Sequence, residues 1–312
     1  MPTLKEIKGR INSVKSTLKI TAAMKLVSSA KLRKAQKATE AMRPYEAQLQ
    51  RMLAVASARP SAESGEFSVA KMMADAPENS PVFLPTAIVA VASNSSLCGG
   101  FNANVIAEVR RVRQAGDVVY SVGRKMADAM RKDGFPSPQD FTALADHPSY
   151  GPASALVDRL QKDLDDGRIG RVVLVYTHFV STAKQVPTVE ELITAYGKDA
   201  FSVAKMMADA PEKASLSSAS ASSSDALEKD IIIEPSRKEL LEVLEPKVIK
   251  LKLYAALLDS AAAEHAARTV AMQTATDNGE NLLQELTLQY NKGRQQKITS
   301  EILDLASGQV EG

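Results

Sequence analysis

The sequence predicts a mixed α+β and α/β fold: a long antiparallel coiled coil built from the two ends of the chain, carrying a small Rossmann-like α/β domain. Three observations predict it. No proline occurs from Lys247 to Gly312, and that stretch reads as one helix. At about 1.5 Å per residue, some sixty residues span roughly 90 Å, longer than a domain of this size is wide. The N-terminal segment carries a second helical seam, and the middle of the chain alternates strand and helix patterns.

Each element follows in order. Leu4, Ile7, Ile11, Val14 and Leu18 step by three and four, a heptad seam. The seam is then expected to drift to Ile20, Met24 and Val27, as in a nearly straight helix. Ala22, Ala23, Ser28, Ser29 and Ala30 widen it with small residues, and Pro44 is expected to kink the helix without ending it, because helix formers resume at Tyr45. Pro60, Gly65, Pro77, Pro81 and Pro85 mark a break. Strands are expected at 87–93, 117–122 and 171–179, with a hairpin partner at 184–189 and helices at about 103–114 and 124–132. Residues 230–234 read as a short strand. Ser236 followed by Glu239 reads as the capping box that opens the last helix. The domain boundaries are thus 1–58 for the first coiled-coil helix, 59–235 for the α/β domain and 236–312 for the second helix. A mobile Ser/Ala-rich insert is expected at about 213–226. Phe67–Glu78 and Phe201–Glu212 are identical twelve-residue strings, for which no physical account is offered.

Composition limits the function. Apolar residues make up 45% of the chain but aromatics only 4%, which favours helix over a β-sandwich. One cysteine, Cys98, excludes an internal disulfide framework and a cysteine-based zinc site, and it suits a reducing compartment. No run reaches the length of a transmembrane helix, and the N-terminus has no apolar signal core. Net charge is +2, yet the first 37 residues hold ten Lys or Arg against one acid, Glu6. That basic segment suits a solvated face, nucleic acid, anionic lipid or an acidic protein socket. Residues 1–44 contain no aromatic side chain, which weakens a single-strand-binding reading.

Catalytic signatures are missing. There is no phosphate loop and no dinucleotide glycine fingerprint. Leu97-Cys-Gly-Gly-Phe-Asn102 reads as a tight strand-to-helix turn, and Cys98 as a buried small residue. His147, His178 and His265 are scattered and read as packing or surface residues. The pattern argues for a mechanical or binding role without an active site of its own.

Both ends and the turn resemble one family. Residues 7–36, Ile-Lys-Gly-Arg-Ile-Asn-Ser-Val-Lys through Ala-Lys-Leu-Arg-Lys-Ala-Gln, closely resemble the N-terminal helix of the gamma subunit of F-type ATP synthases. Residues 263–278 and the run from Leu286 to Ile302 are similar to its C-terminal helix, and Leu97–Asn102 to its turn after the first strand. Ser93-Asn-Ser-Ser96 departs from the Ser-Asp-Arg/Lys-Gly that many members carry.

The resemblance implies a central rotary shaft, coupling proton flow through the membrane ring to ATP synthesis in the alpha/beta hexamer. It implies no catalytic, cofactor or metal site on this chain, ATP, ADP and magnesium being held by alpha and beta. The implied partners are the alpha and beta subunits, the epsilon subunit and the ring of c subunits, with one copy per complex and no nucleic acid. The implied location is peripheral, on the cytoplasmic face of the bacterial inner membrane. By resemblance, Met24, Lys25, Arg268, Arg294, Gln295, Thr299 and Glu301 are subunit-contact positions. The alternatives are a basic coiled-coil protein binding nucleic acid or a membrane surface, and an α/β enzyme with a helical arm.

Overall fold

The first helix begins where Thr3 and Glu6 cap each other. The Glu6 N–H donates to Thr3 Oγ1 at 3.3 Å and the Thr3 N–H donates to Glu6 Oε2 at 2.9 Å, satisfying two otherwise orphaned backbone donors. The computed structural model describes residues 3–57, 84–194, 234 and 236–308. In it α1 runs from Leu4 to Ser57 with Pro44 inside, as the resumption of helix formers predicts. The break at 58–85, the insert at 213–226, the twin strings and the expected strand at 230–234 fall wholly or almost wholly outside the described residues.

A mixed four-stranded sheet follows, in the order β2-β1-β3-β4. β1 is Thr86–Val91, β2 Val118–Val122, β3 Arg171–Phe179 and β4 Gln185–Thr194. β1 pairs parallel with β2 and β3, and β3 pairs antiparallel with β4. The hairpin partner is longer than its apolar pattern suggested. It holds Pro187, which an edge strand tolerates because its free side needs no donor. The helices are α2 (Phe101–Val112), α3 (Arg124–Lys132), α4 (Thr142–Asp146), α5 (Tyr150–Asp165) and α6 (Arg237–Gly308). Sequence reading left α4 and α5 unassigned. The prolines and glycine around Tyr150 look like a break, but Pro152 sits in the first turn of α5, where its missing N–H costs nothing.

The sheet buries both faces. Ile88, Ala90 and Val175 pack on α2 and α3 through Val105, Val109, Met126 and Met130. Val89, Val91 and Leu174 face α4 and α5 through Leu144, Leu156 and Leu160, and also face Leu253 and Leu257 of α6. The long C-terminal helix is therefore a structural layer of the α/β domain, with α1 laid against it.

Ser236 opens α6 as its spacing predicts: Oγ accepts from the Glu239 N–H at 3.2 Å and the carbonyl accepts from the Leu240 N–H at 3.0 Å. The helix has 72 residues and continues through Pro246; it spans about 110 Å at 1.5 Å per residue.

The α1 seam drifts only in part: Met24 is half-buried as expected, but the other two positions are not. Ile20 and Val27 are 60% and 57% exposed. Buried and half-buried positions instead continue at Thr21, Lys25, Ser28 and Leu32, in strict three-four steps from Leu4. A strict heptad requires the two helices to supercoil, which keeps the seam facing its partner where a straight helix would rotate it away.

Candidate functional site: the shaft, its waist and its overhang

Three contacts define how the helices pair. Leu4 lies beside Gly293, Leu18 beside Gly279, and Thr21 Oγ1 is 3.1 Å from Thr276 Oγ1. Each step forward along α1 is one step back along α6, so the helices are antiparallel and in register across this stretch. Lower down, Leu32 packs with Ala262 and Ala266, and Leu49, Leu53 and Ala56 with Leu244 and Leu251, in the same order.

Because Leu4 is level with Gly293, among the described residues α6 runs on past the start of α1 from Arg294 to Gly308. That overhang is about 20 Å long. It exposes Ile298, Ile302 and Leu303 at 47%, 59% and 62%, a cluster of apolar side chains on one unpartnered helix. Its polar residues are tied locally: Thr299 Oγ1 donates to the Gln295 carbonyl at 2.9 Å, and Lys297 lies 3.6 Å from Glu301. Arg294 and Gln295 are exposed.

At the waist, α6 meets both α1 and the sheet domain, with alanines among its closest contacts. Ala263 packs on Cys98 and Phe101, and a Cβ on Gly99 would lie 3.8 Å from Ala271. The Leu97–Asn102 turn is as tight as its glycines predict, with Leu97 at φ 66° and Gly99 at φ 57°. Its organiser is Asn102, whose Nδ2 donates to Ser95 O at 3.2 Å and whose Oδ1 accepts from the Ser93 N–H at 3.0 Å. Asn102 closes the Leu97–Asn102 run, but only the folded turn shows that its side chain reaches back to Ser93 and Ser95.

A buried polar cluster sits at the same level. Arg268 and Glu264 pair at 2.7 Å with side chains 10% and 11% exposed. The contact is close in distance but off the line of an N–H donor at Nη2. Arg268 Nη1 lies 3.4 Å from His265 Nδ1. Arginine only donates, so Nδ1 is the acceptor and the ring proton is on Nε2. Burial raises the Glu264 carboxyl, and Arg268 opposes that rise. Burial, then the charges of Arg268 and Lys31, depress His265 to about 4.

A depressed histidine binds its proton more readily in the unfolded chain. Its stability contribution is therefore full above the unfolded value of about 6.5 and is lost as pH falls toward about 4. His265→Gln is expected to flatten the decline in urea midpoint between pH 7 and 4.5. An unchanged pH slope would contradict this.

His178 is not a free surface residue. Its Nδ1 lies 2.5 Å from Asp259 Oδ2 on α6, and Asp259 Oδ1 accepts from the Phe179 N–H at 3.2 Å. The hydrogen bond to Asp259 raises its pKa against the effect of burial. This clasp fixes the end of β3 to the shaft.

The expected contact residues therefore fall into two groups. Met24 and Lys25, half-buried on α1, and Arg268 on α6 lie at the waist. Arg294, Gln295, Thr299 and Glu301 lie on the overhang. By the register the members of the two groups lie about 30 to 50 Å apart along the rod. Arg268 faces its own helix partner, whereas the overhang residues face outward. Among the described residues no cluster of His, Cys, Asp or Glu is placed to hold a metal ion, and no helix is long and apolar enough to cross a membrane.

The same arrangement recurs in known proteins. A family model described as ATP synthase matches residues 3–310. The ATP synthase gamma chain of Phocaeicola vulgatus is 42% identical over 317 residues, 99% of this chain and 100% of that one. That of Bacteroides thetaiotaomicron is 42% identical over 323 residues, 100% of both. A chain of the mitochondrial ATP synthase of Euglena gracilis, solved with OSCP, F1 and the c-ring, superposes with a TM-score of 0.64. That superposition covers 98% of this chain and 93% of that one at 18% identity, so it speaks to the fold alone. These matches do not favour a nucleic-acid or membrane-surface binder. With the helical rod, the middle sheet and the overhang all inside an end-to-end match of this strength, the chain belongs to the ATP synthase gamma chain family.

Proposed function

We propose that this chain is the central rotary shaft of a proton-driven F-type ATP synthase. Residues 1–58 and 236–312 form the shaft, and residues 59–235 the body that joins it to the rest of the rotor. The overhang carries this reading: a single helix extended about 20 Å past its partner, with Ile298, Ile302 and Leu303 outward, needs an apolar sleeve. The central opening of an alpha/beta hexamer supplies one. The α/β domain meets the epsilon subunit and the c ring, one copy per complex, at the cytoplasmic face of the inner membrane. ATP, ADP and magnesium stay on alpha and beta. This chain contributes no catalytic group; it transmits differential binding energy among the surrounding sites.

Within that frame Arg294, Gln295, Thr299 and Glu301 contact the hexamer at the tip, and Met24 and Lys25 contact it at the waist. Reconstitution with alpha and beta subunits tests the whole reading: the chain must copurify with them and restore coupled hydrolysis. For the tip, Arg294→Ala removes an exposed side chain and is expected to leave the unfolding midpoint unchanged. Coupled ATP synthesis is expected to fall several-fold, as for loss of a contact worth about 1–2 kcal/mol. Unchanged synthesis would remove Arg294 from the contact.

A further inference from the structure

The α/β domain carries a cavity that the shaft does not use. β1 lies between β2 and β3 and runs parallel to both, so the chain leaves β1 toward β2 on one side while β3 lies on the other. α2, which follows β1, covers one face of the sheet, and α5, which precedes β3, covers the opposite face. In open α/β sheets ligands sit outside the carboxyl ends of the parallel strands at such a switch point. A cavity of about 190 Å³ lies there. Gly100 and Phe101 at the start of α2 line it, together with Thr177 near the end of β3, Pro187 of β4, and Val270 and Ala271 of α6.

Thr177 is the polar group in this wall that packing does not explain. It is 2% exposed, and its Oγ1 has no hydrogen-bond partner. It lies on the same face of β3 as Val173 and Val175, which pack beneath α2, so its side chain stands on the cavity side of the sheet. Valine would fill the same space without an orphaned hydroxyl, which is costly to bury unpaired.

The neighbouring polar groups define what could pair with it. α2 opens at Gly100 without a side-chain cap, leaving first-turn N–H groups as donors at that end of the cavity. Gln185 gives its Nε2 protons to Ser181 O at 3.1 Å and Thr182 O at 2.7 Å, so Oε1 is what it can offer the cavity, as an acceptor. The Thr177 hydroxyl serves in either role. Among the described residues no charged side chain lines the cavity. An anion drawn to the α2 end would therefore lose its hydration with no counter-charge in exchange.

We propose that this cavity binds a small uncharged carboxamide bearing an apolar ring or chain. The carbonyl oxygen accepts from the α2 N–H groups, the amide N–H donates to Gln185 Oε1, and Thr177 pairs with whichever atom lies nearer. The apolar part packs on Phe101, Pro187 and Val270. A turn of χ1 between staggered wells exchanges the Thr177 hydroxyl and methyl at the wall, so its presentation needs no backbone shift. Such a ligand touches α6 and the sheet at once, and its binding stands apart from the shaft reading.

The probe is benzamide, compared with acetophenone, which lacks the N–H donors, and benzoate, which adds a charge. Saturation-transfer NMR on the full chain is expected to give saturable benzamide binding with a Kd of about 1 mM, ordinary for so small a ligand. Both comparators are expected to bind about tenfold more weakly, because they leave Gln185 Oε1 unpaired. Thr177→Val keeps the shape and removes the hydroxyl. It is expected to weaken benzamide about three- to tenfold while leaving the unfolding midpoint unchanged or higher. Val270→Phe changes a residue that is 42% exposed, so it is expected to block the cavity and abolish binding without altering the midpoint. No saturable benzamide binding by the parent, a comparator that binds as tightly, or full affinity in either variant would overturn the inference.

Discussion

Arg268→Ala is expected to destabilise the chain by about 3–5 kcal/mol, the usual cost of leaving one member of a buried ion pair without its partner. Arg268 and Glu264 are 10% and 11% exposed at the side chain, and around them α6 is mostly alanine, which offers the stranded carboxylate nothing in exchange. The deficit also has a predictable pH dependence. Glu264 is already raised by burial, with Arg268 the largest opposing influence, so the variant raises it further. A raised carboxyl binds its proton more readily when folded, so stability recovers as pH falls through its folded pKa. The same substitution removes one of the charges that depress His265, which works in the same direction. The gap in urea unfolding free energy between parent and variant should thus narrow from pH 8 to pH 5. Glu264→Gln combined with Arg268→Met should recover most of the loss, since it removes both charges. A constant gap, or a double variant no better than the single one, would show that the pair's charge is not what matters there.

Gly123→Ala is expected to cost about 4 kcal/mol or more, in the range reserved for forced backbone movement. Gly123 joins β2 to α3 at φ 96°, a conformation that side chains resist. A Cβ there would stand 2.1 Å from the Ala92 carbonyl oxygen, in the backbone next to β1. Neither chain can yield, because Ala92 N–H donates to Val122 O at 2.9 Å and Lys125 N–H to Ser93 O at 3.1 Å, stitching the two crossings together. The expected readout is loss of cooperative unfolding in the α/β domain, while far-ultraviolet helicity from the shaft persists. A variant that melts like the parent would refute the account.

Much of this molecule was legible before folding. The β-branched run at 171–179, the helix at 124–132 and the Ser236–Glu239 cap are local signals, and each stands where its residues put it. The great length of the C-terminal helix was legible too, because it is read directly from an uninterrupted pattern. The α1 seam beyond Leu18 was misread, since Thr21, Lys25 and Ser28 do not look like seam residues until a partner helix covers them. Hydrophobic periodicity detects apolar seams and misses polar ones. Helix α5 went unassigned although Leu156 and Leu160 carry its pattern; Gly151 and Pro152 at its start are weak helix formers.

The sequence by itself determined two long helices, an alternating middle and the absence of catalytic signatures, all consequences of near-neighbour chemistry along the chain. Tertiary structure alone decided which residues face each other across the shaft. It also decided that α6 serves as a layer of the sheet domain, and that Arg268, Glu264 and His265 share one buried site with Lys31 nearby. The physical reason is that register, burial and pKa depend on atoms brought together from hundreds of residues apart: Thr21 meets Thr276 only after both ends of the chain have folded back along one axis.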